Sequence, residues 1–143
     1  MSFPVKDKQH LFEVYSHEIS NPITLVLTAA KGLAISVFDR LLDLTNLQKN
    51  QLAAFIDATP KTIDNYRIKQ SSFGRMESEQ LLQILALYKK GEEVFGSTEA
   101  FNQWLKMDAI GLGGRKPLDL MYTPGGIQLI VEELLRIEFG ALA

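Results

Sequence analysis

The sequence predicts an all-α protein: a helix-turn-helix domain followed by a small helical domain. Three observations predict it. Apolar residues recur at three- and four-residue spacing in successive stretches. Capping residues and Gly or Pro breakers punctuate those stretches at short intervals. No alternating apolar/polar run of strand length, bounded by turns, occurs between them.

Residues 1–33 read as an N-terminal extension. The first 20 residues are polar, hold both histidines (His10 and His17) and lack a sustained apolar period, so a mobile arm or loosely docked helix is expected. Asn21-Pro22 is a helix-start signal, and Ile23–Lys31 reads as a short apolar helix ending near Gly32.

Residues 34–75 read as a helix-turn-helix domain. Ser36 is placed to cap a helix running to about Asp43, buried through Val37, Leu41 and Leu42. Thr45 and Gln48 have capping-box spacing, opening a helix over about Asn46–Phe55. After the short gap Asp57-Ala58-Thr59, Thr59 as N-cap and Pro60 at the first helical position open the next helix. That gap is the length of the turn in a helix-turn-helix.

Residues 76–143 read as a helical linker and a C-terminal domain. A long helix runs from about Glu77 to Phe95 and stops at Gly96, and Ser97 caps the next, with Phe101, Trp104 and Leu105 inward. Gly111, Gly113 and Gly114 break the pattern. Pro117 opens a short helix, and Thr123-Pro124 opens the last, where Ile127, Ile130-Val131, Leu134-Leu135 and Ile137 form the apolar stripe.

At 143 residues the chain suits one core or two small units, and 46% hydrophobic with 22% charged residues is an ordinary globular composition. With no cysteine, disulfides, thiolate metal sites and cysteine nucleophiles are excluded. The most apolar stretch, Ile23–Phe38, is interrupted by Lys31 and Gly32 and is shorter than the roughly 18–20 residues of a membrane span. The N-terminus, with Lys6-Asp7-Lys8, does not read as a signal peptide. A cytoplasmic protein without membrane contact is expected.

The net charge of −2 argues against a general nucleic-acid coat, but its distribution is uneven. Residues 44–75 carry Lys49, Lys61, Arg67, Lys69 and Arg75 against Asp57 and Asp64, a local +3. Residues 76–143 carry six basic and ten acidic side chains. A basic window in an acidic chain is an electrostatic footprint for a polyanion. On the second helix of the pair, Lys61, Thr62, Asn65, Arg67 and Lys69 are the candidate DNA contacts. Asn pairs with adenine and Arg with guanine in the major groove, while Lys and Thr reach phosphates or base edges. Asp64 on the same face would meet phosphates unless it reads a cytosine amine or pairs with a neighbour. Reading two half-sites requires twofold symmetry, so operator DNA and a homodimer are expected together.

Gly111-Leu112-Gly113-Gly114-Arg115-Lys116 is not a phosphate loop, because neither the Walker spacing nor a preceding strand is present. No Ser-His-Asp or His-x-x-x-His spacing exists, and Glu92-Glu93 and Glu132-Glu133, adjacent on helices, read as solvated faces. No enzyme activity, metal or cofactor is expected.

Val94-Phe95-Gly96, Trp104-Leu105, Leu112-Gly113-Gly114, Pro117-Leu118-Asp119-Leu120, Thr123, Gly126, Val131, Leu134 and Ile137 to Gly140 occur in order. Upstream stand Leu47, Leu52-Ala53, Ile56, Thr59, Thr62-Ile63 and Arg67. In these residues, from about Ala34 to the end, the chain resembles the Xre/MbcA/ParS-type antitoxins, partners of RES-domain toxins. The resemblance implies an antitoxin that closes the NAD-consuming site of its toxin and represses its own operon. It implies that the last helix and tail, Arg136 to Ala143, cover the toxin's pocket, with Arg115, Arg136, Phe139 and Leu142 as contacts. The family often has an acidic residue where this chain has Gly125, which removes a charge favourable to the helix dipole. The competing reading is a transcriptional regulator whose C-terminal helices only dimerise it. Deleting residues 138–143 separates the two: an antitoxin loses neutralisation and keeps operator binding, whereas a plain regulator loses neither.

Overall fold

A computed structural model describes residues 5–140, and among these the regular structure is helical, with no strand. The helices are α1 (Val5–Val14), α2 (Ser16–Ser20), α3 (Pro22–Lys31), α4 (Ile35–Thr45), α5 (Lys49–Phe55), α6 (Pro60–Lys69), α7 (Arg75–Phe95), α8 (Thr98–Leu105) and α9 (Pro124–Gly140). Short 3-10 turns at Ile110–Leu112 and Pro117–Leu120 lie between α8 and α9. The protein is all-α. It divides into two compact units between Ala86 and Leu87, inside α7.

In the first unit, the N-terminal segment is helical from Val5, and Leu11 and Phe12 are buried, with α1 packed on α4. Two adjacent large apolar side chains are enough to dock a helix that has no long apolar period. The Asn21 side chain caps α3, accepting from the Ile23 and Thr24 N–H groups at 2.9 and 3.2 Å, with Pro22 in the first turn.

Helix α4 starts one residue before the anticipated cap. Ala34 is its N-cap residue and makes no side-chain cap, so Ser36 lies inside the helix. Its buried face is Val37, Phe38, Leu41, Leu44 and Thr45, while Leu42 is half-buried. The capping box at Thr45 does not form. Thr45 is fully buried as the last residue of α4, and its hydroxyl donates to the Leu41 carbonyl at 2.8 Å. Asn46 then turns left-handed (φ 58°), and α5 begins only at Lys49, with no side-chain cap from Gln48. Thr45 Oγ1 also accepts from the Leu47 N–H at 3.3 Å, but Thr45 still lies within α4, four residues before α5 starts, so it does not stand at the N-cap of the next helix.

The α5–α6 pair meets through Leu52, Ala53, Phe55, Ile56 and Ile63, all buried. Thr59 caps α6 by accepting from the Thr62 N–H at 3.1 Å, and Pro60 occupies the first turn. The turn between them passes through Asp57 at φ 59°, a left-handed position that Asp tolerates better than most residues. Phe73 donates its N–H to the Leu33 carbonyl at 2.8 Å, and the Leu33 N–H bonds the buried Ser78 hydroxyl at 2.9 Å. These bonds tie the start of α4 to the start of α7.

The second unit is organised by aromatic rings. Tyr88 and Phe101 meet edge-on at 5.0 Å, Phe95 and Trp104 lie tilted at 5.4 Å, and Phe101 stacks on Trp104 at 5.9 Å. The Tyr88 hydroxyl donates to Asn102 Oδ1 at 2.6 Å, and burial pushes its pKa well above the ordinary value of 10.0. Gly91 makes room for this cluster, since a Cβ there would stand 2.3 Å from Cγ of Phe101. Ser97 caps α8 through the Ala100 N–H at 3.1 Å, and Thr123 caps α9 through the Gly126 N–H at 3.0 Å. The Thr123 cap is made despite the uncharged Gly125. Gly113 and Gly114 turn left-handed (φ 70° and 76°), closing the 109–115 loop that Ala109 N–H to Arg115 C=O completes at 3.0 Å.

Candidate functional site

Two surfaces carry the candidate residues, one on α6 in the first unit and one on α9 in the second. On α6, Ile63 is the only buried residue, and Tyr66 lies edge-on to Phe73 at 5.5 Å. The Tyr66 hydroxyl donates to Glu77 at 3.3 Å. Burial first, and then the Glu77 charge, raise its pKa. These inward contacts turn Lys61, Asp64, Asn65, Arg67, Ile68 and Lys69 to solvent. Thr62 is half-buried, with its hydroxyl 3.1 Å from that of Thr59.

The exposed face of α6 is not a plain basic strip. Asp64 pairs with Lys49 of α5 and lies 3.9 Å from Arg67 Nη1. Arg67 Nη2 lies 2.5 Å from Asp39 of α4. The structure therefore joins Asp39, Lys49, Asp64 and Arg67 in one chain of charges and leaves Lys61, Asn65 and Lys69 outside it. A neighbouring partner was one of the alternatives the sequence left open for Asp64, and Asp39 was not among the residues it singled out. No local signal would have found Asp39, because it stands 28 residues before Arg67.

On α9 the inward face is Gly126, Ile127, Ile130, Glu133 and Leu134. Glu133 departs from the expected solvated pair: it is 8% exposed, whereas Glu132 faces solvent. Its carboxylate fills the space above Gly111, where a Cβ would stand 1.6 Å from Oε2. Arg136 Nη2 reaches the same oxygen at 3.3 Å. A buried carboxylate requires such a cation, and the pairing holds a half-exposed guanidinium at the surface. Glycine at 111, which has no left-handed φ, was the available clue to this close approach.

Around Arg136 the outward side of α9 keeps Leu129, Leu135 and Phe139 exposed, Phe139 at 63%. In the neighbouring turn Ile110 is 96% exposed. Neither Leu129 nor Ile110 was singled out by the sequence. Arg115 is exposed on the 109–115 loop, and Leu142 lies outside the described residues. Lys90 anchors the end of α9 by donating to Glu138 at 2.8 Å. Among the described residues no cluster of three or more His, Cys, Asp or Glu is placed to hold a metal ion, and no helix is long and apolar enough to cross a membrane.

Residues 90–140 match the family described as the antitoxin Xre/MbcA/ParS C-terminal toxin-binding domain. The match covers the end of α7, α8, both 3-10 turns and α9, so the matched segment contains Phe95, Phe101 and Trp104 of the aromatic cluster and the Glu133–Arg136 surface. The chain is also similar to the Prs ADP-ribosylating antitoxin of Sphingobium sp. (strain YBL2). The two are 23% identical over 133 residues, 87% of this chain and 84% of that protein.

Proposed function

We propose that the chain is an antitoxin that inhibits a RES-type, NAD-consuming toxin by covering its active site with the outer face and end of α9, and that a homodimer of the chain represses its own operon through α6. The observation that carries the reading is the conjunction on α9: a toxin-binding family segment presents exposed Leu129, Leu135 and Phe139 around an Arg136 held from beneath by Glu133. Exposed apolar side chains grouped on one helix face are an unfavourable surface in water and a favourable one against a partner. Arg136 is then a fixed donor fork for an acidic group or for space meant for a charged substrate. Arg115, Phe139 and Leu142 complete the proposed contact set. The relative's printed name links an antitoxin with ADP-ribosylation, a transfer that consumes NAD, which supports this toxin class. Inhibition of this kind is steric and needs no catalytic group, and it takes place in the cytoplasm.

The test is neutralisation during co-expression with the adjacent toxin gene. Deleting residues 138–143 would also remove Glu138, the partner of Lys90. A stop after Glu138 is therefore the cleaner variant. Restored toxicity with operator binding retained supports the reading. Full neutralisation by this variant and by Phe139→Asp would overturn the α9 contact, and no neutralisation by the wild-type chain would favour the plain regulator.

A further inference from the structure

We propose that Asp39 and Asp64 restrain the DNA affinity of α6 by occupying two neighbouring cations, Arg67 and Lys49, so that Arg67 is engaged within the chain and is not a base reader. This rests on the DNA-binding reading above. A guanine contact by arginine uses two N–H groups of the guanidinium fork at once. Here Nη2 is held by Asp39, and Nη1 lies 3.9 Å from Asp64. Lys49, on the first helix of the pair, is likewise engaged by Asp64. Each of these side chains is between 37% and 53% exposed, so the pairs are solvated and exchangeable and not locked.

Binding to a polyanion must displace carboxylates already in place, and Asp64 itself repels phosphates from the centre of the face. Counting Asp39 lowers the local +3 to +2, and the cations outside these pairs are Lys61 and Lys69 on α6 and Arg75 at the start of α7.

The experiment measures binding of the full chain to a duplex from the region upstream of its gene and to an unrelated duplex, by fluorescence anisotropy across a salt series. The variants are Asp39→Asn, Asp64→Asn and the double substitution. Asp57→Asn is the control: Asp57 is exposed on the turn of the same motif, makes no ion pair among the described residues, and sits at a left-handed position that Asn also accepts. Asp39→Asn and Asp64→Asn should each tighten binding by about threefold or more and the double variant by about tenfold. The double variant's log–log salt slope should steepen by about 0.9 for each cation released onto a phosphate. Asp57→Asn should change affinity by less than about twofold, since it releases no cation. Equal gains from Asp57→Asn and Asp64→Asn would reduce the effect to charge counting and overturn the proposal. So would unchanged or weaker binding by the double variant, with the DNA reading left standing if the wild type binds. Absence of binding by every form, with thermal unfolding unchanged, would end the DNA reading and this proposal together.

Discussion

Helices α6 and α9 both carry an arginine held by a carboxylate, yet they offer opposite surfaces. On α6 the acids are exposed, the pairs are solvated, and the face between them is a mosaic of charge. On α9 the acid is buried, the arginine is paired with it from beneath, and exposed Leu129, Leu135 and Phe139 share the outer side with Glu132. Exposed pairs exchange readily with other ions, whereas a buried carboxylate ties its partner to one place. A surface of the first kind suits a hydrated polyanion, and one of the second kind suits a shaped protein cavity. On the proposed reading, the two partner classes differ by solvation and not by charge sign.

The sharpest way to break this contrast is to remove the core on which α9 depends. Phe101→Ala should cost about 3–5 kcal/mol by leaving a cavity among Tyr88, Phe95 and Trp104. Urea unfolding followed by fluorescence measures this cleanly, because Trp104 is the only tryptophan. If the loss is below 1 kcal/mol, the aromatic cluster is not what supports the α9 face. Gly91→Ala approaches the same cluster from the other direction. Its methyl would press on the Phe101 ring, so a loss of about 1–3 kcal/mol is expected in the same titration.

Alkaline pH sharpens the comparison without a substitution. The Tyr88 pKa is raised in the folded chain above its ordinary value of 10.0, so folding keeps the hydroxyl protonated while the unfolded chain ionises. Stability is therefore full below pH 10 and falls as pH rises beyond it, by up to about 1.4 kcal/mol per pH unit from this group. Tyr88→Phe should flatten that limb of the Trp104-detected stability profile, and an unchanged limb would assign the loss elsewhere. The smallest effect belongs to the first unit. Thr59→Ala removes the cap of α6 and should cost about 1 kcal/mol in a circular-dichroism melt, while Trp104 fluorescence stays unchanged at ordinary temperature.

Much of this fold was legible because its signals are local. Asn21-Pro22, Thr59-Pro60, Ser97 and Thr123-Pro124 each act within three residues, and each opens the helix that its side chain caps. Thr45 misled because α4 runs through it and buries it, so that its hydroxyl bonds the Leu41 carbonyl and the Leu47 N–H while α5 starts only at Lys49. Leu11 and Phe12 were undervalued because two adjacent residues do not make a period, although both are buried. The candidate surfaces were legible only in part. Asp39 and Arg67 are brought together by the packing of α4 on α6. The burial of Glu133 follows from the absence of a side chain at Gly111, 22 positions earlier in the chain. Relations of that range leave no spacing pattern to read.

The central claim is that the outer face of α9 closes a toxin's active site. Its most direct test is NAD consumption by the purified toxin, titrated with wild-type chain and with Phe139→Asp whose Trp104-detected unfolding matches the wild type. The account predicts that the wild type stops consumption near equimolar ratio, while Phe139→Asp leaves most of it running. Equal inhibition by both proteins, or none by the wild type in a complex that forms, would contradict it.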